Sequence, residues 1–247
     1  MSLKITTILF LWCVFSSTVK SQVINAGVSG NTSSNLLNRL EHDVLEQQPN
    51  VVIIMVGTND MLNSKKMISY STYEENLSTL IKAIKNRSSK VLLVAPPTVD
   101  STYLFERHDR KLFRELPNVK LDTVRSVMIR LANEFNVDFV DVYQEFVNLH
   151  LPQHNEDLVI RNEKNSDRKD GVHLTALGYK MLTQSIFTAL KSNDLLQENQ
   201  KIICFGDSLT FGAGLKMGGA VIGESYPSVL QKLILEHFEL KNSINDD

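Results

Sequence analysis

Cysteine is nearly absent: the 247 residues contain two, Cys13 and Cys204. Cys13 lies in an N-terminal stretch expected to be removed, so no intrachain disulfide is expected. An excess of one charge sign is also missing. Lys and Arg number 26 against 28 Asp and Glu, a net charge of -2, which excludes the basic footprint of a nucleic-acid binder. Aromatic residues make up 7% and show no spacing suited to base stacking. No apolar run reaches the ~20 residues that a membrane-spanning helix needs. There is no internal repeat or low-complexity tract. Metal-ligand patterns are lacking too. His150 and His154 have i, i+4 spacing, but Pro152 lies between them and the His-Glu-x-x-His pattern is absent, so a solvated loop is expected. No cofactor is expected.

What remains is ordinary globular composition, 43% hydrophobic and 22% charged. Such a chain is long enough for one sizeable core. Its first residues differ from the rest. Lys4 precedes an apolar run over 5–15, followed by Ser16-Ser-Thr-Val-Lys-Ser21. A positive start, a short apolar core and then small residues predict a secretory signal peptide over 1–21, cleaved after Ser21. The protein is then secreted or periplasmic, with a single domain over 22–247. A buried first strand or an uncleaved anchor is the alternative.

Five apolar runs read as strands, near 23–27, 51–56, 91–95, 137–142 and 201–206. Between them, apolar residues recur at helical spacing over about 34–47, 73–85 and 121–135, and further helices are expected over about 175–190 and, after the last strand, about 226–238. Strands alternating with helices predict an α/β fold, a parallel sheet covered on both faces. Three loops stand out, 98–118, 146–169 and 211–224, together with a linker over 191–200 that has no apolar period.

Chemistry-bearing residues gather where strands end. Strand 202–205 stops at Gly206-Asp207-Ser208, and a hydroxyl there sits at the rim where α/β proteins hold ligands. A capping Ser in a Gly-rich turn is the plainer reading. Asn25-Ala-Gly-Val-Ser-Gly-Asn-Thr-Ser33 contains Gly30, which could serve only its turn. Val56-Gly-Thr-Asn-Asp60 contains Asn59, which could cap the next helix. Asp170-Gly-Val-His173 could be a turn leading into a helix.

Taken together with Phe205-Gly-Asp-Ser-Leu209, these four blocks resemble the signature blocks of the SGNH (GDSL) family of serine esterases and lipases. The family begins with the Ser block, whereas this chain ends with it, so the chain is similar to a circular permutant. The resemblance implies a three-layer α/β/α sandwich with a five-stranded, flavodoxin-like parallel sheet of order 2-1-3-4-5. Strand 201–206 would take the central place. Every strand-to-helix turn lies on one edge of such a sheet, whereas linker 191–200 and the new termini lie on the other.

The implied chemistry follows. A Ser hydroxyl needs a base within hydrogen-bond reach. His173 is the candidate base for Ser208, and Asp170 can fix its tautomer. By resemblance, the oxyanion donors are the Ser208 N–H, the Gly30 N–H and the Asn59 side chain. Asp207 is expected to support its loop, and Arg107-His-Asp-Arg-Lys111 reads as a solvated charge run. Asn31, Asn76 and Asn86 begin sequons. The three loops are expected to wall an open, shallow site, with Tyr103, Phe105 and Phe211 among their aromatics. Short-chain esters, acetyl foremost, on carbohydrate are the favoured substrates, small or polymeric. A lysophospholipase or acyl-thioesterase is the alternative within the family, and a non-catalytic carbohydrate-binding protein is the alternative outside it. After cleavage of residues 1–21, no membrane insertion is expected.

Overall fold

The computed structural model describes residues 21–245. The signal peptide expected over 1–21 therefore lies, but for Ser21, outside the described residues. Five strands form one sheet: β1 (Gln22–Gly27), β2 (Val51–Met55), β3 (Lys90–Val94), β4 (Asp138–Val140) and β5 (Lys201–Gly206). All pair in parallel, in the spatial order β1-β5-β2-β3-β4. Numbered from β5, that order reads 2-1-3-4-5. The last strand of the chain thus lies between the first two, with Gly206 aligned to Gly27 on one side and Met55 on the other.

Successive strand residues face opposite sides of a sheet, and here each side is a core. On one side Val52, Ile54, Ile203 and Phe205 join Leu36, Tyr73, Leu77 and Met128. On the other Ile53, Met55, Ile202 and Cys204 join Tyr179, Leu182, Ile186 and Leu230. The first layer comes from α1 (Ser33–Leu40), α3 (Tyr70–Lys85) and α5 (Pro117–Phe135). The second comes from α8 (Ala176–Ser192) and α10 (Tyr226–Asn245). Strand β2 is buried along its whole length, which explains its uninterrupted apolar run.

Several sequence expectations change in detail. The helix expected over 34–47 is α1 followed by a π-helical turn, Glu41–Leu45. Loop 98–118 contains α4 (Ser101–Arg107), which is capped by Asp100. A short α2 (Thr58–Leu62) follows β2 directly. Loop 146–169 holds the end of α6 (Val142–Asn148) and all of α7 (Glu163–Ser166). These helices are short, and α4, α6 and α7 are capped by side chains, so apolar periodicity has too few turns to reveal them. Segment 191–200 is less of a free linker than expected: Leu195 and Gln200 are buried. The Gln22 N–H bonds the Gln200 carbonyl at 2.7 Å, joining this segment to the sheet edge opposite the motifs.

Edge strand β1 is partly covered by α10. Gln231 accepts from the Val23 N–H at 2.7 Å and donates to the Ser21 carbonyl at 3.0 Å. A side-chain amide thereby satisfies backbone groups that an edge strand leaves open.

Candidate active site

The four sequence blocks meet at the C-terminal edge of the sheet. β5 ends at Gly206, Asp207 caps the next turn, and Ser208 opens the short α9 (Ser208–Phe211). Asp207 accepts from the Leu209 N–H at 2.9 Å. As the first residue of a helix, Ser208 has an N–H without an intrahelical acceptor. Close packing holds this turn in place. A Cβ on Gly27 would lie 2.2 Å from the Phe211 nitrogen, and one on Gly206 would lie 2.3 Å from the Met55 carbonyl oxygen. Neither position has room for a side chain.

Ser208, His173 and Asp170 stand in series. The Ser208 Oγ lies 3.0 Å from His173 Nε2, and His173 Nδ1 lies 2.9 Å from Asp170 Oδ2. A neutral ring with its proton on Nδ1 donates to Asp170 and accepts from the Ser208 hydroxyl. The Asp170 carboxylate also accepts the Val172 and His173 N–H groups, each at 3.0 Å. Burial opposes its charge, but the bonds from His173 and the charge of Arg107 outweigh this. The carboxyl is held well below the usual carboxylate range.

Gly30 and Asn59 line the same cleft as Ser208 and His173. Asn59 Nδ2 donates to Asp207 Oδ2 at 3.3 Å, so Asp207 reaches the motif block after β2 as well as its own turn. Burial pushes the Asp207 carboxyl up to about 7, with the Leu209 N–H and Asn59 opposing. The next residue, Asp60, is also buried. Its Oδ1 accepts from the Ser33 N–H at 2.8 Å and the Ser33 hydroxyl at 2.5 Å, tying α2 to α1.

Three arginines missed by sequence reasoning hold the site together. Arg39 donates to the Ala26 and Gly206 carbonyls at 2.9 and 2.8 Å and to Asn31 Oδ1 at 2.8 Å, and its guanidinium stacks 4.4 Å from the Phe205 ring. It clamps the ends of β1 and β5 together. Arg107 donates to the Asp170 carbonyl and lies 3.6 Å from its carboxylate. The reading of 107–111 as a solvated charge run is therefore corrected at Arg107. Arg161 donates to the Gly214 carbonyl and sits 4.0 Å from Asp170 Oδ2. Sequence offers no signal for these roles, because each arginine reaches backbone or a carboxylate across the fold.

The cleft itself is about 240 Å³. Leu62, Leu104, Val172 and Ala213 form its apolar wall, with Asn59 and Asn63 among its polar side chains. The expected aromatic walls are corrected: Tyr103 is buried, and Phe211 packs under Gly218 and Gly219. Loop 146–169 supplies no lining residue. A larger hollow of about 520 Å³ lies at the opposite edge, between Asn50, Arg87 and Gln197, far from any of the four blocks. His154, expected in a solvated loop, is half exposed but bonds Asp100 at 2.6 Å.

Fold and site together define an α/β chain of the SGNH hydrolase type. The model of the GDSL-like Lipase/Acylhydrolase family matches residues 12–181, and the chain belongs to that family. The match contains Gly30, Asn59, Asp170 and His173 but ends before Ser208. An acetylxylan esterase of Geobacillus stearothermophilus is 30% identical over 132 residues, 51% of this chain and 56% of that protein's length. The chain thus spans little more than half of that relative. A lipoprotein, YqeF, of Bacillus subtilis (strain 168) is 25% identical over 179 residues, 66% of this chain and 71% of the relative. Among solved structures, a lipase/acylhydrolase from Enterococcus faecalis is similar with a TM-score of 0.51. It is 26% identical, with 66% of this chain and 72% of that one covered.

Proposed function

We propose that this chain is a serine esterase that hydrolyses short-chain esters, acetyl foremost, on carbohydrates. The observation that carries the proposal is the unbroken series from the Ser208 Oγ through His173 to Asp170, with steps of 3.0 and 2.9 Å. Membership of an acylhydrolase family supports it.

In this reading His173 takes the Ser208 proton as the hydroxyl oxygen attacks the ester carbonyl. Asp170 holds the ring tautomer and stabilises the imidazolium. The Ser208 N–H, Gly30 N–H and Asn59 amide receive the developing oxyanion. His173 then protonates the departing alcohol, leaving an acyl group on Ser208. A water activated by the same imidazole releases the acid and restores the hydroxyl.

The small cleft, with a limited apolar wall, supports a short acyl chain over a fatty one. The acetylxylan esterase relative supports a carbohydrate as the alcohol. We further propose that the chain is a circularly permuted family member. The position of β5 between β1 and β2 supports this, as does a family match that stops before the Ser block. A signal peptide over 1–21, a single domain over 22–247 and export are part of the same proposal. They are supported by Lys4 and the apolar run after it, and by the lipoprotein relative.

The test is an ester panel on the protein lacking residues 1–21, with Ser208→Ala as control. Acetate esters should be cleaved fastest and the variant should be inert. A faster rate on long-chain 4-nitrophenyl esters would remove the short-chain assignment. Full activity in Ser208→Ala would remove the mechanism.

A further inference from the structure

The residues lining the cleft include one guanidinium, Arg107, and two imidazoles, His108 and His173, and no Asp or Glu. Two further cations adjoin it. Lys66 Nζ donates to the Gly30 carbonyl at 2.6 Å, on the cleft wall. Lys65 is exposed, and burial first, then the charges of Arg107 and Lys65, hold the His108 ring below its ordinary pKa, so that it faces the cleft as a neutral donor. Of the carboxylates beside these residues, Glu106 pairs with Lys169 at 3.5 Å, and Asp170 stands behind the His173 ring and 3.6 Å from Arg107. His108 is itself oriented. The Ser64 N–H and hydroxyl reach its Nδ1 at 3.4 and 3.2 Å. When Ser64 donates, a neutral ring keeps its proton on Nε2 as a donor.

A net charge of -2 for the whole chain makes this local excess a property of one rim, not of the surface at large. Cationic groups around a cleft raise the local concentration of anionic ligands. The excess lies on the two stretches after β2 and β3, from Lys65 to His108, beside the cleft that holds Ser208. The acyl group is short in the reading above, so a charge on the substrate belongs to its alcohol portion.

We propose that the rim formed by Lys65, Lys66, Arg107 and His108 is a subsite for a carboxylate on the saccharide, so that the preferred substrates are acetyl esters of uronic-acid-containing oligosaccharides. This rests on the esterase reading above and deepens it. A neutral saccharide offers Lys65 and Lys66 no counter-charge, whereas Arg107 already has the Asp170 carboxylate at 3.6 Å. A uronate beside the acetylated sugar supplies one, with the His108 and Arg107 N–H groups as donors.

The test separates this from the esterase reading by using protein that cannot turn over. Ser208→Ala protein is titrated calorimetrically with an acetylated uronate oligosaccharide and with a neutral acetylated xylose oligosaccharide of equal length. The expected result is binding of the anionic ligand about tenfold tighter at low ionic strength, approaching parity in high salt, where exposed charges are screened. Introducing Lys65→Glu or His108→Gln should each lower that preference several-fold, and melting curves should show both proteins folded. Equal or tighter binding of the neutral ligand at low salt overturns the proposal. So does a preference that both substitutions leave intact. Failure of the wild-type chain to cleave 4-nitrophenyl acetate counts against the esterase reading alone.

Discussion

Asn59 Nδ2 donates to Asp207 Oδ2 at 3.3 Å across 148 residues of sequence. The pairing joins the stretch after β2 to the turn that carries Ser208. It leaves the second N–H of the same amide for another acceptor. A buried carboxyl thereby orients the side chain proposed as an oxyanion donor.

Asn59→Ala should therefore lower kcat on 4-nitrophenyl acetate by roughly 100- to 1000-fold with little change in KM, the cost of losing one oxyanion donor. Steady-state kinetics check this. A decrease below about threefold would take Asn59 out of the oxyanion site.

Asp207 also predicts a pH dependence. Its carboxyl is raised from the ordinary 3.8 to about 7 by burial. Between those values the folded chain keeps a proton that the unfolded chain releases. Stability from this group is full below about pH 4 and is lost as pH rises through about 7. Asp207→Asn should flatten the decline in Tm over that window. Asp170 acts in the opposite sense, because its folded carboxyl is held low: its contribution is present above 3.8 and is lost on further acidification. Differential scanning calorimetry of both proteins across the window tests the slope.

The end of β1 should tolerate no added side chain. A Cβ at Gly27 meets backbone atoms of Thr210 and Phe211 at 2.6 and 2.2 Å. These atoms belong to the turn bearing Ser208, so relief of the clash displaces the hydroxyl. Gly27→Ala should cost about 1–3 kcal/mol, the usual range for overpacking. Activity should fall more than the fraction unfolded explains. Urea denaturation alongside kcat measurement separates the two effects.

Arg39→Met keeps the aliphatic stem but removes the donors to the Ala26 and Gly206 carbonyls. Leaving a buried acceptor without a partner costs about 1–3 kcal/mol, and less at the Gly206 carbonyl, which keeps the Val28 N–H at 3.1 Å. The expected outcome is a clear loss of Tm, together with slower acylation, since Gly206 immediately precedes Asp207 and Ser208.

Cys204 is fully buried in β5, and burial pushes its thiol up to about 12. Thiolates are the reactive form. In protein lacking residues 1–21, a disulfide-exchange reagent should label no thiol in the native state and one after denaturation. Rapid native labelling would contradict the burial of that strand.

Much of the fold was legible because long elements carry strong periodic signals. The Val51-Val-Ile-Ile-Met-Val56 run read as a strand covered on both faces, and α5 showed one-sided apolar spacing. The four blocks gave Ser208, His173, Asp170, Gly30 and Asn59 by resemblance, and the structure brings all five to one sheet edge. The short helices were not legible. α2, α4 and α7 have four to seven residues, and such pieces are held by caps and tertiary contacts, not by a periodic face.

The sequence by itself determined the alternation of strands and helices, the chemical groups available and their location at strand ends. These depend on neighbouring residues, and local patterns record them. Only the tertiary structure decided that Arg39, Arg107 and Arg161 converge on the site, and that Asp207 is buried against Asn59. Most of those contacts join residues more than fifty positions apart. Such long-range pairing is set by the packing of the whole core, and no local pattern encodes it.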